Sequence, residues 1–288
     1  PSVYDADTLA VVEPLELSNS TSLVPGTENQ CFGDNTATQV ISISGGTTPY
    51  YIDGLAISGN TDTLFSLGAG SYNFTVTDAN GCLPSSSSPA SFIITEPSDI
   101  LPNGSITSDY NGRDISCYAA NDGEITASSS GGTGTFEYSI DGTNYLSTDV
   151  FSGLSAGTYT IYYRDANACI KTESLTLTEP ADLSGTLVGD TSVTCFQNCD
   201  AQINMTSVSG GTPSYLYSLN GGVLTNNPSR SGLCGNQYHE ITIVDANGCF
   251  FSDSIFVSEP DLLTFSADVS SALVYNGFGV SCNGSSDG

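Results

Sequence analysis

Nine cysteines stand in a chain otherwise rich in Ser, Thr and Gly, and their thiols are the most reactive groups it offers. Sulfur at such density serves either as metal ligand or as disulfide. Metal spacing of the C-x-x-C kind is missing, and the nearest approach is Cys195-Phe-Gln-Asn-Cys199. The cysteines instead fall in pairs, Cys31/Cys82, Cys117/Cys169 and Cys195/Cys249, separated by 51, 52 and 54 residues. A spacing that regular reads as one bridge per domain in an oxidising, extracellular setting. The sequence therefore predicts Cys31–Cys82, Cys117–Cys169 and Cys195–Cys249. Cys199 and Cys234 occur together in the third domain alone and are expected to form a second bridge there. Cys282 is left with its partner beyond the chain.

Other chemistries lack their parts. The single histidine, His239, falls in a strand where alternation makes it a surface or edge residue, and no neighbouring unit repeats it, so nucleophilic catalysis has no base. None of the 31 acidic residues recurs in a way that marks a cleft for paired-carboxylate hydrolysis. Gly131-Gly132-Thr133-Gly134 has no following helix and is no phosphate cradle. A net charge of −27, with only four Lys and Arg, excludes nucleic acid and anionic membrane as partners. The acids read as a soluble, self-repelling surface. A structural calcium stays open as the alternative, although the EF-hand loop pattern is missing. No cofactor is expected, and the expected answer on enzymatic activity is no.

These residues are carried by a repeat. Glu-Pro recurs at Glu13-Pro14, Glu96-Pro97, Glu179-Pro180 and Glu259-Pro260, at intervals of 83, 83 and 80 residues. Between the marks come, in order, a cysteine, Gly-Gly-Thr, a hairpin signal, a Leu-rich stretch with a tyrosine, Asp-Ala-Asn and a second cysteine. A period of this size means an array of small domains. We expect a final strand of a preceding repeat at 1–14, repeats at 15–97, 98–180 and 181–260, and the start of a following repeat at 261–288. The stubs imply a piece cut from a much longer repetitive protein. No signal peptide or apolar run of spanning length occurs in it, so no direct membrane insertion is expected of this segment.

Within a repeat, alternating runs such as Phe136–Ile140, Tyr159–Tyr163 and Ser174–Thr178 are broken by Gly, Ser and Asp-Ala-Asn. Asp53-Gly54, Asp141-Gly142 and Asn220-Gly221 mark hairpins. Helical periodicity is missing. The fold class expected is all-β: a tandem array of immunoglobulin-like Greek-key β-sandwich domains, end to end. A tyrosine five residues after a leucine, at Tyr72, Tyr159 and Tyr238, has the form of a tyrosine corner, its phenol packed and its hydroxyl bonded to upstream backbone. Asp78-Ala-Asn-Gly81 and Asp245-Ala-Asn-Gly248 read as tight turns. Ala168 in the middle copy argues against a required positive φ at the last position. A bridge closing about 50 residues is worth on the order of 4 kcal/mol by chain entropy, comparable to the whole net stability of so small a domain.

Taken in order, Val193-Thr-Cys195, Gly210-Gly-Thr-Pro213, Tyr215-Leu-Tyr-Ser218, Leu154-Ser-Ala-Gly-Thr-Tyr159, Asp245-Ala-Asn-Gly-Cys249 and the closing Glu-Pro resemble the SprB-type repeat of Bacteroidetes cell-surface adhesins. The resemblance implies a very large protein exported by the type IX route and displayed as an extracellular filament, some relatives acting in gliding motility. It carries no catalytic residues over. It implies surface glycans or other cell-surface proteins as partners, together with the secretion and motility machinery. It also brings in an O-glycosylation pattern, Asp-Ser/Thr-apolar, matched at Thr8, Thr63 and Ser254. The expected function is a non-catalytic structural and adhesive shaft. The alternatives are a carbohydrate- or cation-binding module array of a secreted enzyme, and a self-assembling sheath or surface layer.

Overall fold

The structure is a computed structural model that describes residues 12–85 and 89–266. Thr8, Cys282 and most of the two terminal stubs lie outside the described residues. Among the described residues there is no helix, hence none long and apolar enough to cross a membrane.

The third repeat shows the plan. One sheet has the order Ser184–Gly189, Ala201–Ser209, Ser229–Leu233; the other has Leu216–Leu219, Gln237–Val244, Phe250–Val257. Every pairing is antiparallel. In chain order, strands one, two and four form the first sheet, and three, five and six the second. That crossing pattern is the Greek key of an immunoglobulin-like sandwich. The second repeat repeats it with Ser105–Ile106, Gly123–Thr126, Val150–Leu154 and with Glu137–Ser139, Gly157–Arg164, Ile170–Leu177. In the first, the fifth strand is interrupted at Thr75, between Gly70–Phe74 and Val76–Thr77.

Period-two burial builds each core. Along Ala37–Ser44, alternate residues are buried, so Ile41 and Ile43 face inward while Ser42 and Ser44 face out. Ile125 and Ala127, then Ile203 and Met205, do the same in the later repeats. Three separate clusters result, centred on Ile41/Val76, Ile125/Ile161/Tyr163 and Ile203/Ile241/Ile243.

By packing, the chain divides into two compact units. One holds the chain up to Ile115 together with Ala119–Glu179; the other holds Ser116–Tyr118 and the chain from Pro180. The three residues around Cys117 thus leave their own sequence repeat and belong to the second unit. That boundary is the first sign that the cysteines do not pair as their spacing implies.

Candidate functional site

Each repeat has two poles, and its two cysteines lie at opposite ones. The first cysteine sits in the loop between strands one and two. The closing Glu-Pro pins that loop: Glu96 Oε2 accepts the Gly33 N–H at 2.7 Å, Glu179 Oε2 accepts the Ala119 N–H at 2.7 Å, and Glu259 accepts the Gln197 N–H. All three donors stand two residues after the cysteine and share a left-handed backbone, with φ of 81° at Gly33, 57° at Ala119 and 58° at Gln197. A turn whose N–H points outward needs an acceptor, and the carboxylate of Glu-Pro supplies it. In the sequence this dipeptide shows only as the mark of the repeat.

The second cysteine follows Asp-Ala-Asn at the other pole. Asp78, Asp165 and Asp245 are buried, and each works as a hub. In the third repeat, Asp245 Oδ1 accepts the N–H groups of Asn247 and Cys249, both at 2.9 Å, while Oδ2 accepts the Thr212 N–H at 2.6 Å. Asp165 binds Asn167, Cys169 and Thr133 in the same way, and Asp78 binds Asn80, Cys82 and Thr47. These bonds, that from the Cys82 N–H foremost, lower the Asp78 pKa below the ordinary aspartate value. The negative charge of Asp78 in turn pushes the Cys82 thiol up.

Gly-Gly-Thr is what lets this hub close. A Cβ on Gly210 would lie 1.8 Å from the Asp182 carbonyl oxygen, and one on Gly211 would lie 2.6 Å from Asp245 Oδ2; both glycines have positive φ. The last turn position is left-handed in all three copies, with φ of 76° at Gly81, 65° at Ala168 and 86° at Gly248. The expectation drawn from Ala168 is therefore corrected: the hub imposes positive φ even on alanine.

This geometry overturns three of the expected bridges. The eight-residue strand Ile170–Leu177 runs from Cys169 to the pole where Thr178 and Glu179 meet Asp114 and Ala119. Eight residues of strand span roughly 26 Å, whereas a disulfide needs Cα atoms about 4.4–6.8 Å apart. Cys117–Cys169 and, across the eight-residue strand Phe250–Val257, Cys195–Cys249 cannot close over that length, and none of the three expected bridges forms, Cys31–Cys82 included. The structure instead joins Cys31 to Cys169 and Cys117 to Cys249, each with Cα atoms 5.6 Å apart. The first cysteine of one repeat thus binds the second cysteine of the next. Cys82 and Cys195 are exposed free thiols, and Cys199 is bonded to Cys234.

A hydrogen bond accompanies each bridge. Asn167 Nδ2 donates to the carbonyl of Gln30, just before Cys31, at 2.9 Å; Asn247 Nδ2 donates to that of Ser116, just before Cys117, at 3.0 Å. Asp-Ala-Asn therefore does more than turn the chain. Its aspartate builds the socket, its asparagine grips the incoming loop, and the cysteine behind it locks the loop covalently.

The tyrosine corner holds in two repeats and not in the third. Tyr72 and Tyr159 donate to the carbonyls of Gly68 and Ser155, at 3.1 and 3.0 Å. Tyr238 is 69% exposed, and His239, 3% exposed, takes its place with Nε2 2.9 Å from the Cys234 carbonyl. A carbonyl only accepts, so Nε2 carries the proton. His239 is thus neither at the surface nor at an edge. Counting six residues back from the hub aspartate gives Tyr72, Tyr159 and His239, so the third loop is one residue longer and the leucine was the wrong anchor. His239 does repeat a position of its neighbours, with a different side chain.

The remaining expectations concern the surface. Thr63 is half-buried on a strand, and Ser254 is exposed on one; each donates its backbone N–H to the preceding aspartate. Among the described residues no group of three or more His, Cys, Asp or Glu side chains is placed to hold a metal ion.

Among solved structures the chain is similar to the eight N-terminal immunoglobulin domains of Down Syndrome Cell Adhesion Molecule, at 13% identity and TM-score 0.35, over 84% of this chain and 36% of that one. It is also similar to a C-terminal fragment of intimin, solved with the intimin-binding domain of its translocated receptor: 11% identity, TM-score 0.29, 64% of this chain and 69% of that one. A third is the Bacteroides ovatus protein SGBP-B, solved with a mixed-linkage heptasaccharide: 14% identity, TM-score 0.19, 83% and 70%. The chain spans about a third of the length of the first of these. No curated protein matches it. Two stretches, residues 111–144 and 191–224, match the SprB repeat, and each runs from the first-cysteine loop through Gly-Gly-Thr into the third strand.

Proposed function

We propose that this chain is a non-catalytic structural segment of an adhesin-like protein displayed at the cell surface, in which successive immunoglobulin-like repeats are stapled to one another by disulfides. The observation that carries the reading is the recurrence of one joint, Cys31–Cys169 and Cys117–Cys249, each with its asparagine clasp. Bridges inside a domain stabilise that domain; bridges between repeats fix the order and spacing of an array, which is what a scaffold for display requires. Disulfides of this kind belong outside the reducing cytosol. The SprB match supports a surface location, and export by the type IX route, a role in gliding motility, and binding of surface glycans or other surface proteins are the finer parts of the same proposal.

Proteolytic shaving of intact source cells tests it. Without reductant, shaved material should contain the peptides around Cys31 and Cys169 linked to one another, and reductant should release them. Recovery of the chain only from lysed cells, with its thiols free, would end the reading.

A further inference from the structure

The two free cysteines among the described residues are unmatched halves of the joint. Cys82 sits in a socket built like those of Cys169 and Cys249: its N–H and that of Asn80 donate to Asp78 Oδ1, both at 2.9 Å. Asn80 Nδ2 meets Thr47 Oγ1 at 3.3 Å, as Asn247 Nδ2 meets Thr212 Oγ1 at 3.1 Å. Cys195 sits in a loop built like that of Cys31. Glu259 pins it through Gln197, and the Asn198 N–H donates to the Cys195 carbonyl at 3.0 Å, as the Asp34 N–H does to that of Cys31 at 3.2 Å. Both thiols are exposed. In the two closed joints the same positions are occupied, loop to socket, with the same pair of bonds.

We infer that Cys82 and Cys195 are complementary docking sites for another repeat of the same kind, whichever chain carries that repeat, so that the loop of Cys195 and the socket of Cys82 recognise one another when presented on two copies of this chain. The occupant of the Cys82 socket is a first-cysteine loop, and the occupant of the Cys195 loop is an Asp-Ala-Asn-x-Cys turn. The complementarity is heterologous, loop to socket, so like halves do not pair with one another. The chemistry needs a disulfide oxidant. Oxidised glutathione first exchanges with one thiol, giving a mixed disulfide and one reduced glutathione. The partner's thiolate then attacks the protein sulfur, and the second glutathione leaves as its thiolate. Two thiols and one glutathione disulfide become one protein disulfide and two reduced glutathiones.

This inference rests on the stapled-array reading, and the test separates the two. In a Cys282→Ser background, the Cys82→Ser and Cys195→Ser variants are incubated in a glutathione redox buffer, each alone and mixed in equal amounts. The products are then mapped as non-reduced peptides. Mixed samples should give the Cys195–Cys82 dimer on the order of tenfold above either symmetric dimer, because only that pair has a built geometry. Adding Asn80→Ala to the variant that retains Cys82 should lower that yield about fivefold, by removing the clasp. Symmetric dimers as abundant as the mixed one, no mixed dimer, or a yield indifferent to Asn80→Ala would each overturn the inference. The bridges Cys31–Cys169 and Cys117–Cys249, mapped in the same samples, report on the array reading separately.

Discussion

The second and third repeats solve one problem at the corner with different atoms. In the second, Tyr159 covers the core and donates to Ser155. In the third, the loop is longer by a residue, an imidazole makes the bond, and Cys199–Cys234 fastens the same region. At the opposite pole no such freedom exists: Asp78, Asp165 and Asp245 bind the same three kinds of partner in every repeat. The lesson is that a corner asks only for a packed donor, which several side chains supply. A hub that satisfies three backbone amides at once admits one residue type.

Experiments can break or sharpen that contrast. Because three cores share the chain, each effect is best read repeat by repeat, from hydrogen exchange or from resolved melting steps. The largest effect expected is from replacing Cys199 and Cys234 together with serine. Losing the closure of that loop should destabilise the third repeat by about 3–4 kcal/mol and leave the second unchanged. An equal loss in both would mean the bridge is not a local substitute for the tyrosine corner. Next come Asp78→Ala, Asp165→Ala and Asp245→Ala. Each orphans three amides held away from bulk water and should cost about 2–3 kcal/mol in its own repeat. Costs that differ between repeats as widely as the corner chemistry does would erase the distinction between the poles. Tyr159→Phe should cost about 1 kcal/mol, the worth of one hydroxyl bond, while Tyr238→Phe should cost nothing measurable. A loss at Tyr238 would restore the corner to that residue.

The smallest effect is on pH. The Asp78 pKa is lowered, so its contribution to stability is fully present above the ordinary aspartate value and is lost as pH falls through the lowered one. Melting of the first repeat should therefore begin to drop below about pH 4, and Asp78→Asn should flatten that part of the profile. A drop centred near neutral pH would point to another group.

Much of a repeat was legible because its signals are local. Alternation along Tyr159–Tyr163 and Ser174–Thr178 marked two strands, with Ile161, Tyr163 and Leu177 inward, and Asn220-Gly221 turned its hairpin with φ of 45° and 70°. The partner of Cys31 was not legible. A period places a second cysteine at the right offset in every repeat, so spacing alone cannot tell Cys82 from Cys169. What decides is the length of a sandwich, which keeps Cys31 and Cys82 a strand apart. One signal was available: the eight-residue strands that separate the poles could have been weighed against the reach of a disulfide. The corner failed for a different reason, a single added residue between Leu233 and His239, which counting from Asp245 would have exposed.

The overlapping bridges also set how far the chain can be pulled. Cys31 and Cys249 are 218 residues apart in sequence, a contour of about 760 Å when fully drawn out. With Cys31 bound to Cys169 and Cys117 to Cys249, the shortest covalent route between them runs through only the 52 residues from Cys117 to Cys169, about 180 Å. Under tension the repeats could unfold and the tether would still go taut at a quarter of its bare length, with the remaining residues hanging as slack loops that bear no load.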